Sequence, residues 1–233
     1  MRRLRFRASR LSWTLLLVAL PACGGDERPA PPGSAAPDSS AAASAADGDG
    51  PLVAFLGDSL AAGLHVDPEQ AFPARIHELL GEEGVPFRLI NAGVSGDTTA
   101  GGLRRIDWLL KQRPDWVVLE LGGNDGLRGI TLGTIESNLR GIVEKAKAAG
   151  ARVWLLGLCL PANYGRDYGA GFEALYARVA EDEELPFVPC FLEGVGGVAR
   201  LNQPDGIHPT AEGHERLAQK LAPLLGELLE DGD

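Results

Sequence analysis

The sequence predicts an α/β fold, a parallel sheet covered by helices on both faces, and three observations predict it. Five apolar runs, at 52–56, 87–90, 116–121, 153–158 and 187–190, have the length of buried strands. Helix-like segments fill the intervals, near 71–81, 98–112, 134–149 and 169–183, with a last one at 209–229. Gly84, Pro86, Pro114, Gly150 and Pro186 punctuate the joins. The pattern shows no internal repeat.

Ahead of the first strand the chain reads as an export leader and a tether. Arg2, Arg3, Arg5, Arg7 and Arg10 make a cationic start, and Leu11 to Ala22 make an apolar stretch of 12 residues. That stretch is too short for a bilayer core of about 30 Å, so residues 1–22 read as a signal peptide. It ends Leu20-Pro21-Ala22-Cys23-Gly24, which resembles the lipobox of bacterial lipoproteins and implies a lipid on Cys23. Residues 24–50 are almost entirely Ala, Pro, Gly, Ser and Asp, with too little apolar surface to offset the entropy of ordering. With Cys23 they are expected to form a disordered linker, with a reach of roughly 30 Å as a flexible coil. One folded domain is expected over 51–233. The expected location is the periplasm or cell envelope, with the domain held to the membrane through Cys23.

The 32 acidic residues outnumber the 22 basic ones, and five of the basic ones lie in the first 22 residues, so the chain beyond carries a formal −15. Such a balance argues against nucleic acid as a partner and against docking on an anionic membrane face. Cys159 and Cys190 have no metal-like spacing with another Cys or His, which argues against zinc. Each ends an apolar run. Two separate buried thiols are the favoured reading, and a bridge is open if those strands are neighbours.

The strand ends carry the chemistry. In a parallel sheet all of them fall on one edge, where open α/β sheets bind ligands. They are Gly57-Asp58-Ser59, then Asn91 to Thr99, Gly122-Gly123-Asn124-Asp125-Gly126, Leu160 to Gly165, and Asp205-Gly206-Ile207-His208-Pro209. Ser59 alone reads more readily as a helix cap than as a nucleophile. A serine nucleophile needs a base, and the base needs a group that fixes its tautomer. His208 is the best base, with Asp205 folding back onto it across Gly206 and Pro209 in the first turn of the last helix. His65 and His77 suit surface roles, and His214 is expected to be solvated. Oxyanion donors are expected from the Ser59 N–H, the Gly93 N–H and the Asn124 amide. Asp58 reads as a turn-fixing residue.

These blocks, Gly57-Asp58-Ser59-Leu60, the Gly93 segment, Gly122 to Asp125 and Asp205 to Pro209, resemble in order and context those of the SGNH (GDSL) hydrolase family. Leu121 to Gly129 and Leu160 to Gly165 resemble its branch of thioesterase I, lysophospholipase L1 and arylesterases. The resemblance covers about residues 52–228 and implies a flavodoxin-like three-layer α/β/α sandwich with strand order 2-1-3-4-5. It implies Ser59, Asp205 and His208 as catalytic residues and Ser59, Gly93 and Asn124 as oxyanion hole. It further implies substrate-binding roles for Asp125, Gly126 and Leu127 in one loop and for Leu160, Pro161, Asn163 and Tyr164 in another. No metal or organic cofactor is implied.

The expected activity is hydrolysis of carboxylic esters through an acyl-enzyme: short and medium acyl esters, aryl esters, lysophospholipids and, in vitro, thioesters. An exported domain of charge −15 would repel a polyanion such as acyl-CoA at long range. The alternatives are a carbohydrate acetylesterase of the same family and a non-catalytic lipid-binding lipoprotein. A monomer is expected.

Overall fold

The structure, a computed structural model, describes residues 50–231. The expected signal peptide, the linker and Cys23 lie outside the described residues.

Five parallel strands form one sheet in the order β2-β1-β3-β4-β5, from β1 (Leu52–Gly57), β2 (Arg88–Asn91), β3 (Trp116–Glu120), β4 (Arg152–Leu156) and β5 (Phe187–Val188). β1 and β3 are buried along their whole lengths, which is why their sequences are continuous apolar runs rather than alternating ones. Seven α-helices accompany the sheet among the described residues: α1 (Ser59–Ala62), α2 (Phe72–Glu82), α3 (Thr99–Leu110), α4 (Gly123–Leu127), α5 (Leu132–Ala148), α6 (Arg166–Asp182) and α7 (Ala211–Glu230). The chain steps one way from β1 to β2 and then back across β3, β4 and β5. Right-handed crossovers therefore put α2 on one face and α3, α5 and α6 on the other. The packing agrees: α2 lies against α7, α3 against α5, and α5 against α6. The reversal of strand order leaves its crevice beside the C-terminal ends of β1 and β3.

The predicted elements are all present, with four corrections. Gly123–Leu127 turns helical as α4 where the sequence reads as a loop. β5 stops after two residues, and Cys190 sits in a turn at φ 44 rather than in the strand. The last helix starts at Ala211, because Thr210 caps it by accepting the Gly213 N–H at 3.2 Å. Pro209 instead pairs with Asn202 in an antiparallel bridge. Finally, Cys159 and Cys190 are joined by a disulfide, with Cα atoms 5.2 Å apart, in place of two separate thiols. β4 and β5 are neighbours, and that adjacency makes the bridge possible.

Candidate active site

The site grows from the turn between β1 and α1. Asp58 is the N-cap of α1, its Oδ1 accepting the Leu60 N–H at 2.9 Å. The Asp58 N–H donates to Glu120 Oε2 at 3.3 Å, and the Ala61 N–H also bonds the Glu120 carboxyl. Three of the four amides at this turn are thus satisfied from below. Among the described residues the Ser59 N–H has no acceptor of its own, which leaves it free for a ligand. Glu120 is fully buried and its Oε1 has no partner among the described residues. Burial, and then the nearby Asp58 charge, push its pKa well above the ordinary carboxylate range. Burial also raises Asp58, to about 6, against bonds from Leu60 and Asn124 that favour its charged form.

A hydrogen-bonded relay crosses from this turn to the loop ahead of α7. Ser59 Oγ lies 2.9 Å from His208 Nε2, and His208 Nδ1 lies 2.7 Å from Asp205 Oδ2. Asp205 Oδ1 also accepts the N–H groups of Ile207 and His208, at 2.9 and 3.0 Å. Burial pushes the Asp205 carboxyl up. The His208 ring and these two amides outweigh it and hold the pKa down to about 2. An ionised Asp205 fixes the proton on Nδ1 and turns the Nε2 lone pair to the Ser59 hydroxyl. Gln203 braces the same loop. Its amide N–H groups donate to Leu64 O at 2.7 Å and Pro209 O at 2.9 Å, and its backbone N–H donates to His208 O at 2.8 Å.

Gly93 and Asn124 flank the turn. A Cβ at Gly93 would stand 2.3 Å from the Ala62 backbone N, so only glycine allows β2's end to approach α1 this closely. Asn91 tethers that approach, donating to Ala61 O at 2.7 Å and accepting the Gly93 N–H at 3.0 Å. Asn124 Nδ2 donates to Asp58 Oδ2 at 3.1 Å. An amide nitrogen carries two hydrogens, so this bond orients the group and leaves one donor available.

The remaining predicted residues are divided. Gly126 packs against Leu160, since a Cβ there would lie 2.6 Å from a Leu160 methyl; this joins the two predicted substrate loops. Leu127 and Tyr164 are half-buried, and Pro161 and Asn163 are exposed. Asp125 is different. It is buried, and its two carboxylate oxygens hold the Thr99 N–H at 2.9 Å and the Thr99 hydroxyl at 2.6 Å. Those bonds make it a brace between α4 and the start of α3.

Three residues of this assembly escape sequence reasoning: Glu120, Asn91 and Gln203. Glu120 carries a readable signal, an acid at the end of a continuous apolar strand. Asn91 and Gln203 act through partners distant in sequence and carry none.

The model of the GDSL-like lipase/acylhydrolase family matches residues 55–216. The chain is 47% identical over 175 residues to Esterase TesA of Pseudomonas aeruginosa, covering 75% of this chain and 87% of that protein. It is 41% identical over 176 residues to thioesterase 1/protease 1/lysophospholipase L1 of Escherichia coli K12, covering 75% and 83%. The crystal structure of TesA superposes with a TM-score of 0.73 at 46% identity, covering 76% of this chain and 99% of that one.

Proposed function

Because this chain belongs to the GDSL-like lipase/acylhydrolase family, we propose that it hydrolyses carboxylic esters through an acyl-enzyme on Ser59. The observation that carries this reading is the relay Ser59 Oγ, His208 Nε2, His208 Nδ1 and Asp205 Oδ2, with links of 2.9 and 2.7 Å. Ser59 Oγ attacks the acyl carbonyl carbon and its proton passes to His208 Nε2. Asp205, held ionised, stabilises the imidazolium that forms. The carbonyl oxygen becomes an oxyanion and takes the Ser59 N–H and the outward hydrogen of Asn124 Nδ2; the Gly93 N–H, bonded to Asn91 Oδ1 at 3.0 Å in the unliganded protein, turns from that acceptor to join them. The tetrahedral intermediate collapses, the bond to the leaving group breaks, and His208 returns the proton to the departing oxygen. Water then repeats the sequence on the acyl-enzyme, releasing the acid and free Ser59.

Short and medium acyl esters, aryl esters and lysophospholipids are the substrate class, with thioesters cleaved in vitro. The names of the esterase and lysophospholipase relatives support that range, and the formal −15 beyond residue 22 disfavours polyanionic acyl carriers. A lipid on Cys23 would hold the domain at a membrane of the cell envelope, where such lipids occur.

Steady-state turnover of p-nitrophenyl butyrate tests the reaction. Activity abolished in Ser59→Ala is the expected result, and unchanged activity in that variant refutes the mechanism. Incorporation of a fatty-acid analogue tests the anchor. Label is expected to vanish in Cys23→Ala, and label that persists there refutes lipidation at that residue.

A further inference from the structure

We propose that Arg105 is a positioning residue that aims the backbone donors of the oxyanion pocket; this rests on the roles given above to Ser59 and Gly93. Arg105 lies on α3, away from the relay, yet all three of its guanidinium nitrogens are used at the site's underside. Nη1 donates to Ala92 O at 2.7 Å, Nη2 to Gly57 O at 2.9 Å and Nε to Asp97 Oδ2 at 2.7 Å.

The two carbonyls are the informative partners. Ala92 C=O and Gly93 N–H belong to one planar peptide group, in which the two bonds point in opposite directions. Pinning the oxygen therefore limits where the Gly93 N–H points: in the unliganded protein it meets Asn91 Oδ1 at 3.0 Å, and with its carbonyl held it can turn to an oxyanion only about that fixed end. Gly57 C=O belongs to the peptide one step before the Asp58–Ser59 peptide, whose N–H is the other backbone donor. One rigid fork thus ties the ends of β1 and β2 and sets the separation between their two donors. A cation on a carbonyl oxygen also polarises that peptide and strengthens its N–H as a donor.

The ladder adds one bond between the same segments, from Val94 N–H to Gly57 O at 3.1 Å. It does not hold the Ala92–Gly93 peptide. Asp97 completes the clamp from the far side: its Oδ1 accepts the Thr98 N–H at 2.9 Å, and its own N–H donates to Val94 O at 3.0 Å. The Arg105 and Asp97 side chains are only 21% and 11% exposed, so solvent competes weakly for these bonds. Lysine, a point charge on a flexible stem, lacks the planar fork that holds both carbonyls and Asp97 together.

The test uses the full chain with Arg105→Lys, Arg105→Ala and Arg140→Ala, the last removing an ion-pair arginine of α5 away from the site. kcat and KM for p-nitrophenyl butyrate are read beside the inhibition constant of n-butylboronic acid. Its boron bonds Ser59 Oγ and forms a tetrahedral anion like the reaction's. In Arg105→Lys kcat is expected to fall by about 10- to 100-fold with KM within about threefold, and boronate affinity to weaken in parallel. Added methylguanidine is expected to restore part of kcat in Arg105→Ala, while Arg140→Ala changes neither kcat nor boronate affinity. If Arg105→Ala does not fold, the paired readouts on Arg105→Lys decide alone. kcat within about twofold of the parent in Arg105→Lys, or a loss confined to KM with boronate affinity unchanged, overturns the inference. Turnover that survives Ser59→Ala overturns it together with the reading of the site, whereas an inactive Ser59→Ala beside unaffected Arg105 variants overturns it alone.

Discussion

His214 sets an acid limit on the stability of this fold. Its ring is 1% exposed between α7 and α2 and stacks on Phe72, with centroids 6.2 Å apart. Nδ1 accepts the Phe72 N–H at the start of α2 at 3.2 Å, so the ring proton is on Nε2, which has no partner among the described residues. Protonating Nδ1 would break that bond and leave a cation in the core. Burial, and then the charge of His208, lower the pKa from 6.5 to about 4. Between those values the unfolded chain binds more protons than the folded one, so stability falls as the pH falls. The loss begins near pH 6.5 and is complete near pH 4, where it amounts to about 3 kcal/mol. At pH 5 linkage gives about 2 kcal/mol relative to pH 7.5.

The perturbation is His214→Asn, whose side-chain oxygen can take the place of Nδ1 as acceptor without titrating. Urea unfolding of both proteins at the two pH values gives four free energies. Asp58, with its raised pKa, works in the opposite sense, because the folded state protonates first and gains stability as the pH falls. It is present in both proteins and cancels in the comparison. The parent is expected to lose about 2 kcal/mol more than the variant between pH 7.5 and pH 5. An equal loss in the two refutes the reasoning.

Three further outcomes are expected. Asn124→Ala should lower kcat for p-nitrophenyl butyrate about 10²–10³-fold with little change in KM, as read in steady-state kinetics. Gly93→Ala forces its Cβ against the Ala62 backbone N; a folded protein by circular dichroism with kcat reduced at least about tenfold is the expected result. Cys159→Ser opens a bridge that spans 31 residues. It should cost about 3–4 kcal/mol in urea unfolding, and reductant should bring the parent to the same midpoint.

The frame of the fold was readable because each buried strand is a continuous apolar run closed by a polar turn. The relay was readable because Ser59, Asp205 and His208 stand in such turns, in blocks whose order resembles that of the GDSL-like family. What was not readable depends on partners far along the chain. Gln203 braces Leu64, and Asn91 reaches Ala61, through bonds that leave no local pattern. The Cys159–Cys190 bridge needed the β4–β5 adjacency and the turn at Cys190. His214 was expected in solvent, yet the signal was present: with Leu217, Ala218, Leu221 and Leu225 it lies on the apolar stripe of α7. The helical period outweighs the polarity of a single ring.

Ser59 and His208 are hydrogen-bonded across a separation of 149 residues. A chain made from its N-terminus therefore carries its serine long before it carries a base to activate it. Nearly the whole sheet can assemble in that interval, and the serine stays chemically idle throughout. The loop that bears His208 is braced by Gln203 against Leu64 and leads into α7, which docks on α2 through the His214 bond to Phe72. Hydrolysis therefore needs the C-terminal segment in place as well as the sheet, and its appearance reports that the His208 loop has reached Ser59.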